Sequence, residues 1–374
     1  MKIKIAITGG HLTPALSVIQ KLQKRKKFEI YYIGRKYPLE GDRTNSLEYS
    51  VIQKLGIPFY SLIPARLQRS FTFFTLFSLW KFPLAFLQSL YYLLRIRPHL
   101  VMSFCGYISL PVCLWASFLR IPFIIHEQTY ILGLANRLVL KKAKYLCLTW
   151  KETQFREGSE KEIVTGNPNL FEHHFIGNRD KSTTNFGDLK LPLIYITGGS
   201  LGSQFINNLV REIIGELSDK FRILHQTGAA DNGCDFLLLN RIRKMLSSYS
   251  QNNYKIVKFI DPYDIISIFK DTSFIVGRAG ANTVFEMQRS GVPGILIPLP
   301  YAADDEQRKN AYRLAELGCA VVLEQEDTGV RQLREACDYL WENFETFKKK
   351  AEVAKKNLPQ NASERIVRLI ESCF

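Results

Sequence analysis

His11 follows directly on Ile7-Thr8-Gly9-Gly10, and the same four residue types return as Ile196-Thr197-Gly198-Gly199, continuing into Ser200-Leu201-Gly202. Each copy comes after a short apolar-rich run, Lys2 to Ile7 and Leu191 to Ile196, that reads as a β-strand. After the first copy, Thr13 offers an N-cap and Pro14 suits the first helical position, where a missing N–H costs nothing. A strand that opens through glycines onto a helix N-terminus presents backbone N–H groups and the positive end of the helix dipole to an anion, a phosphate above all. The same dipole lowers the pKa of an imidazole at position 11 and keeps it neutral, so His11 is a base able to take a proton from a hydroxyl. Singly these features are weak, since most Gly-Gly turns only reverse the chain and most lone histidines are structural. Their repetition at the head of each half predicts two similar α/β domains with a site between them.

The elements that must position these residues alternate along the chain. Strands are expected at 2–7, 28–33, 59–63, 100–103, 121–126, 145–148 and 162–164, with helices after His11, around 46–55 and over about 111–119. The second half repeats the scheme, with strands at 191–196, 222–225, 254–259, 273–276, 294–297 and 320–323. Its helices begin near Ser203, Pro262, Gly280 and Glu306, with two more at the C-terminal end. Alternation of this kind predicts parallel sheets with right-handed crossovers. A chain of 374 residues suits two domains. They are expected at 1–168 and 191–359, joined by a polar linker over 169–190, with the last helix, about 360–374, packing back on the first domain. The net charge of +15 calls for anionic partners. Zinc-finger spacing and RNP-like aromatic motifs are missing, which sets nucleic acid aside. The seven cysteines are odd in number and scattered, the pattern of reduced thiols in a cytoplasmic protein. His173 and His174 form a metal-like pair without further ligands, so no metal is expected. The first strand follows the N-terminus without a leader, which also suits the cytoplasm.

Phe71 to Leu94 is almost wholly apolar and aromatic and long enough to span a bilayer. Lys81 and Pro83 sit at its middle, however, and a central lysine costs about 2.5–3.5 kcal/mol on insertion scales. Strands both before and after it would also be torn apart by a spanning helix. One reading is two buried helices hinged at Pro83. The other is a segment lying on an anionic membrane, with Phe74, Phe77 and Trp80 among its aromatics and Arg66, Arg69, Lys81, Arg95 and Arg97 beside them. The aromatic mass exceeds what one helix face usually buries, which favours the membrane surface.

With these pieces placed, the chain resembles the MurG family. The resemblance runs in order through Thr8-Gly9-Gly10-His11, Gly106-Tyr107-Ile108-Ser109, His126-Glu127-Gln128, Gly166-Asn167-Pro168, Gly198-Gly199-Ser200, His225-Gln226-Thr227-Gly228, Gly280 to Glu286, and Gln307 to Ala311. It implies a GT-B glycosyltransferase fold of two Rossmann-like domains. It further implies inverting, metal-independent transfer of N-acetylglucosamine from UDP-N-acetylglucosamine to the 4-hydroxyl of undecaprenyl-pyrophosphoryl-N-acetylmuramyl-pentapeptide. No cofactor is implied, and the work is done peripherally at the cytoplasmic face of the membrane. By position, Ser200 is the donor-phosphate serine, Ile260 holds the uracil through backbone groups, and Gln307 reaches the donor sugar. Ala281, Asn282, Thr283, Val284, Phe285 and Glu286 form the donor helix, where small residues let backbone N–H groups approach a pyrophosphate and Glu286 accepts from the ribose hydroxyls. Thr8, Gly9 and Gly10 reach the donor when the domains close, and Thr129 belongs to the donor contacts. Gly106 and Tyr107 face the acceptor pyrophosphate. His11 and Glu127 are rival bases, and the resemblance leaves the choice open.

The chain departs from the family pattern at several positions. Ala6 and Ile7 stand where the first loop usually has two more glycines, and Thr129 replaces an asparagine. Leu170 stands where an arginine that contacts the donor normally follows Gly-Asn-Pro, a charge-assisted contact worth roughly 1.5–3 kcal/mol. These changes also allow a transferase acting on another lipid or sugar nucleotide, or a membrane-bound scaffold that is catalytically weak. Retention of His11, Glu127, Ser200, Glu286 and Gln307 argues against the scaffold. A dinucleotide-dependent oxidoreductase is disfavoured because neither Gly-Gly turn extends into GxGxxG.

Overall fold

The computed structural model describes residues 2–37, 45–63, 81–104, 106–153, 161–172, 186, 190–199, 201–228 and 233–374. The chain forms two compact units, Met1–His173 with Pro359–Phe374 and His174–Leu358.

In the first unit, β1 (Ile3–Gly9), α1 (Leu12–Gln23), β2 (Phe28–Gly34), α2 (Leu47–Lys54), β3 (Phe59–Ser61) and α3 (Lys81–Ile96) lead to β4 (Leu100–Phe104) and α4 (Ser109–Phe118). β5 (Phe123–Glu127), α5 (Leu134–Val139), β6 (Tyr145–Leu148) and β7 (Glu162–Val164) complete the run. The strands make one parallel sheet in the order β3-β2-β1-β4-β5-β6-β7. That order reverses between β1 and β4, so the loops leaving those two strands flank the crevice where open α/β sheets bind ligands. β4 and β5 are buried along their whole length, covered on both faces, and this is why each opens on an apolar run, Leu100–Met102 and Phe123–Ile125, with Ser103 and the pair His126-Glu127 as buried polar residues toward their ends.

The second unit holds β8 (Leu193–Thr197), α6 (Gln204–Lys220), β9 (Arg222–Gln226), α7 (Cys234–Arg243), α8 (Ser248–Asn253), β10 (Tyr254–Val257), α9 (Ile265–Asp271) and β11 (Thr272–Gly277). There follow α10 (Ala281–Ser290), β12 (Gly294–Leu296), α11 (Glu306–Glu316), β13 (Ala320–Val322), α12 (Val330–Glu342) and α13 (Phe344–Lys356). Its parallel sheet runs β10-β9-β8-β11-β12-β13, with the reversal between β8 and β11. α6 shows how the helices attach: Ile206, Leu209, Val210, Ile213, Ile214 and Leu217 form one buried stripe at helical spacing. The chain then returns to the first unit as α14 (Ala362–Glu371). There Ser363 Oγ meets Ser17 Oγ of α1 at 2.6 Å, and the Glu172 carboxylate accepts from the Ala362 and Ser363 N–H groups at 2.7 and 2.9 Å.

Several expectations need correcting. α1 begins at Leu12 with His11 as its N-cap, so Thr13 is not the cap and Pro14 is the third helical residue. Pro14 is tolerated there because the first four N–H groups of a helix have no carbonyl partner in any case. Three helices, not two, follow α11, since α12 and α13 are broken only at Asn343. β10 stops at Val257, short of Phe259. The described helix over Lys81–Ile96 carries Pro83 near its start, and Phe74, Phe77 and Trp80 lie outside the described residues, as do His173 and His174. Among the described residues no helix is long and apolar enough to cross a membrane.

Candidate active site

β1 ends at Gly9, where no side chain fits: φ is +145°, and a Cβ would stand 2.7 Å from the Phe104 backbone on β4. The loop after β4 comes nearly as close, a Cβ on Gly106 lying 3.2 Å from the Gly10 nitrogen. The strands flanking the switch point therefore hold their two loops in contact. His11 sits in this crook, half-buried and without a side-chain capping bond. Burial lowers its pKa, Glu127 opposes that, and Arg35 adds to it. The imidazole is thus neutral at pH 7, with desolvation rather than the helix dipole as the leading cause.

Glu127 closes β5 with both carboxylate oxygens occupied. Oε1 accepts from the Gln128 N–H at 3.0 Å, the Thr129 N–H at 3.1 Å and the Thr129 hydroxyl at 2.9 Å. Oε2 accepts from the Gly133 N–H at 2.8 Å and the Asn136 amide at 3.0 Å. Arg35, just beyond β2, donates from Nη1 to the Tyr107 hydroxyl at 3.3 Å, and its Nε lies 3.8 Å from Glu48 Oε2. Burial pushes the Glu48 carboxyl up to about 7, against the pull of Arg35, so near neutral pH it offsets only part of the guanidinium charge. His126 is buried, its Nε2 against the Gly166 carbonyl at 3.1 Å, and burial holds its pKa at about 4.

The second unit builds a matching corner. Thr197 Oγ1 accepts from the Gly199 N–H at 3.0 Å, and the Gln226 amide donates to the Gly199 carbonyl at 2.9 Å. A Cβ on Gly202 would stand 2.0 Å from the Thr227 carbonyl oxygen, which makes glycine obligatory there. In α10 the first helical bond is Val284 N–H to Gly280 O, 3.0 Å, so the N–H groups of Ala281, Asn282 and Thr283 have no helical carbonyl to meet. Arg278 is buried below that helix end. It donates to Ser203 Oγ (3.0 Å), the Ile297 and Pro298 carbonyls (3.0 and 3.2 Å) and Gln325 Oε1 (2.6 Å). Each of these acceptors is neutral, and burial lowers the guanidinium pKa only to about 10, so the charge persists at neutral pH. Half-buried Glu286, one turn into α10, has its carboxyl pushed up to about 8 by burial. Gln307 Oε1 accepts from the Leu299 N–H at 3.1 Å at the start of α11. Together these groups make a helix end with free N–H groups and a buried guanidinium, chemistry that suits an anion, with an acid one turn away.

Known proteins are similar to this chain along its whole length. The model of the glycosyltransferase family 28 N-terminal domain matches residues 7–147, and that of the family 28 C-terminal domain matches residues 193–366. A Clostridium tetani protein named UDP-N-acetylglucosamine–N-acetylmuramyl-(pentapeptide) pyrophosphoryl-undecaprenol N-acetylglucosamine transferase is 32% identical over 100% of this chain and 99% of its own. The chain belongs to the MurG family. A Treponema denticola transferase of the same name is 33% identical over 86% of this chain and 82% of its own. The crystal structure of Acinetobacter baumannii MurG superposes with a TM-score of 0.67 at 25% identity, covering 99% of both chains. The calicheamicin glycosyltransferase CalG4, 14% identical, superposes with a TM-score of 0.68 over 100% of this chain and 98% of its own, which reflects the shared GT-B fold.

The residues that the MurG resemblance singles out fall into two groups. His11, Glu127, Gly9, Gly10, Gly106 and Tyr107 gather at the switch point of the first unit, and Ala281, Asn282, Thr283 and Glu286 at that of the second. Half-buried Ile260 follows β10 by three residues. Ser200 lies outside the described residues. Some side chains are occupied or hidden. Thr8 is fully buried, Val284 and Phe285 are core residues of α10, and the Thr129 hydroxyl lies between Glu127 Oε1 and the Ile131 carbonyl at 2.5 Å. Leu170 is buried in the first unit, so an arginine there would bury a charge. His225 bonds Tyr254 and Asn207 at 2.9 and 3.0 Å in the core and serves packing. Arg35 and Arg278 were not picked out from the sequence. Their signal is positional, since each directly follows the glycine that ends a strand, β2 next to β1 for Arg35 and β11 at the switch point for Arg278.

Proposed function

We propose that this chain transfers N-acetylglucosamine, with inversion, from UDP-N-acetylglucosamine to the 4-hydroxyl of undecaprenyl-pyrophosphoryl-N-acetylmuramyl-pentapeptide in peptidoglycan synthesis. Relatedness over the whole chain to transferases of that name carries the reading. The first unit supplies the base and the acceptor contacts. Neutral His11 takes the proton of the 4-hydroxyl as that oxygen attacks C1 of the donor sugar, and the bond from C1 to the β-phosphate oxygen breaks. Glu127, with its oxygens already occupied, fixes the loop and stabilises the imidazolium that forms. In the second unit the α10 N-terminus and the Arg278 charge meet the negative charge that grows on departing UDP. Glu286 accepts from the ribose hydroxyls, Ile260 holds the uracil by its backbone, and Gln307 turns toward the sugar.

The enzyme works at the cytoplasmic face of the membrane without crossing it. Leu87, Tyr91 and Leu94 support this, an exposed apolar stripe on α3 with Arg95 and Arg97 beside it. The direct test supplies the purified protein with UDP-N-acetylglucosamine and a short-chain analogue of the lipid acceptor. Disaccharide product and UDP should appear in equal amounts, and absence of both would overturn the reading.

A further inference from the structure

An apolar cavity of about 510 Å³ opens in the first unit beside β3, α3 and α4, a volume typical of small-molecule sites. Leu62, Ala85, Phe86, Leu110, Leu114 and Tyr107 line it, and Tyr107 has the one polar side-chain group among the described lining residues. The wall is braced: Trp115 Nε1 on α4 donates to the Phe86 carbonyl on α3 at 2.8 Å, and the two rings lie 4.8 Å apart. Tyr107 joins this cavity to the active site. Its hydroxyl accepts from Arg35, and its neighbour Gly106 approaches Gly10, next to His11. The contacts thus run from a base, through a glycine loop with a cation, to an apolar hollow. The acceptor of the proposed reaction has the same order: a sugar hydroxyl, a pyrophosphate and a polyprenyl chain. Apolar chain of that kind gains roughly fourfold in affinity for each methylene buried.

We infer that this cavity is a built subsite for the isoprene units adjoining the acceptor pyrophosphate, with Tyr107 and Arg35 at the polar boundary. Recognition then extends from the headgroup into the lipid, and the enzyme selects acceptors by the first part of the chain. The inference rests on the proposed function, since that reading names the acceptor. The remainder of a long chain is left to the membrane.

Calorimetric titration of the full chain with inorganic pyrophosphate, geranyl pyrophosphate and farnesyl pyrophosphate, all below micellar concentrations, tests it. Affinity should rise at least tenfold from pyrophosphate to geranyl and again to farnesyl pyrophosphate, with both prenyl compounds competing against the lipid acceptor in turnover. Leu114→Trp fills the cavity and should reduce the gain from prenylation to less than twofold. Ala85→Leu is the milder companion, and thermal melting and far-ultraviolet circular dichroism check that each variant folds. Equal affinity for the three pyrophosphates would overturn the subsite, as would a gain that survives in folded Leu114→Trp. Should neither variant fold, the wild-type series still decides. Turnover without a chain-length gain defeats this inference alone, whereas prenyl binding without turnover defeats the proposed function alone.

Discussion

A general base needs a lone pair to spare at the moment a hydroxyl proton leaves. Glu127 spends its oxygens on Gln128, Thr129, Gly133 and Asn136, and protonating it would cost several hydrogen bonds at once. His11 is kept neutral by burial and has that carboxylate as its opposing charge. His11→Ala should therefore lower kcat by about 10²–10⁴-fold while UDP affinity holds, as measured by turnover and by titration with UDP. The acid limb of kcat/KM for the acceptor should lie below the ordinary imidazole range. Its sign can be checked by substitution. Arg35 lowers the His11 pKa, so Arg35→Gln moves that limb to higher pH, whereas Glu127→Gln moves it lower. Glu286 gives a second pH signature. Burial pushes its carboxyl up to about 8, and ribose hydroxyls favour the ionised form. UDP binding at pH 7 should release close to one proton, read by calorimetry in buffers of differing ionisation enthalpy, and Glu286→Gln should abolish the release. The types of His11 and Glu286 and their place after glycine turns were legible in the sequence. The saturation of Glu127 was not, because three of the donors named above are backbone N–H groups whose directions only the folded loop defines, and a fourth, Asn136, lies nine residues away.

At the scale of elements, β-strands were read best because parallel strands covered on both faces are mostly apolar, as in the first three residues of β4 and β5 and most of β8. Helices with thin apolar faces escaped. α7 buries only Leu239, and α8 buries Ser250 and Asn253, so neither has a periodic signal. The break between α12 and α13 rests on Asn343 alone, with no glycine or proline to mark it. The helix α14 itself was legible in the sequence, but its seat on α1 was not, since that depends on Ser17, Asn169 and Glu172, all distant in sequence. Ile366, Val367 and Ile370 are fully buried there. Ile366→Ala should cost about 2–5 kcal/mol, seen in urea unfolding of the first unit. UDP binding, which the proposed function assigns to the second unit, should change little.

The whole molecule repeats one plan, two doubly wound sheets each reversing order beside a glycine turn, and this is why two similar ITGG openings marked both halves. The net charge of +15 belongs to the same scale, because it acts through its sum on any anionic surface. Alone it would give only a weak, salt-screened attraction. Insertion of apolar side chains must supply the rest, and the first unit offers them. Tyr91, Leu94 and Phe118 are 55%, 53% and 72% exposed, with Arg95, Arg97 and Arg120 close by in sequence. Such residues contribute little to the core, so replacing all three by serine should leave the melting temperature within a few degrees of the parent. Partitioning of the variant onto vesicles containing anionic lipid should fall at least tenfold. For the parent protein, binding should weaken steeply with added salt and be poor on neutral vesicles, since both terms are required. Unchanged partitioning of the folded triple variant would move the membrane contact away from α3 and α4. Salt-independent binding would instead show that apolar insertion suffices and that the excess of lysine and arginine serves another anion.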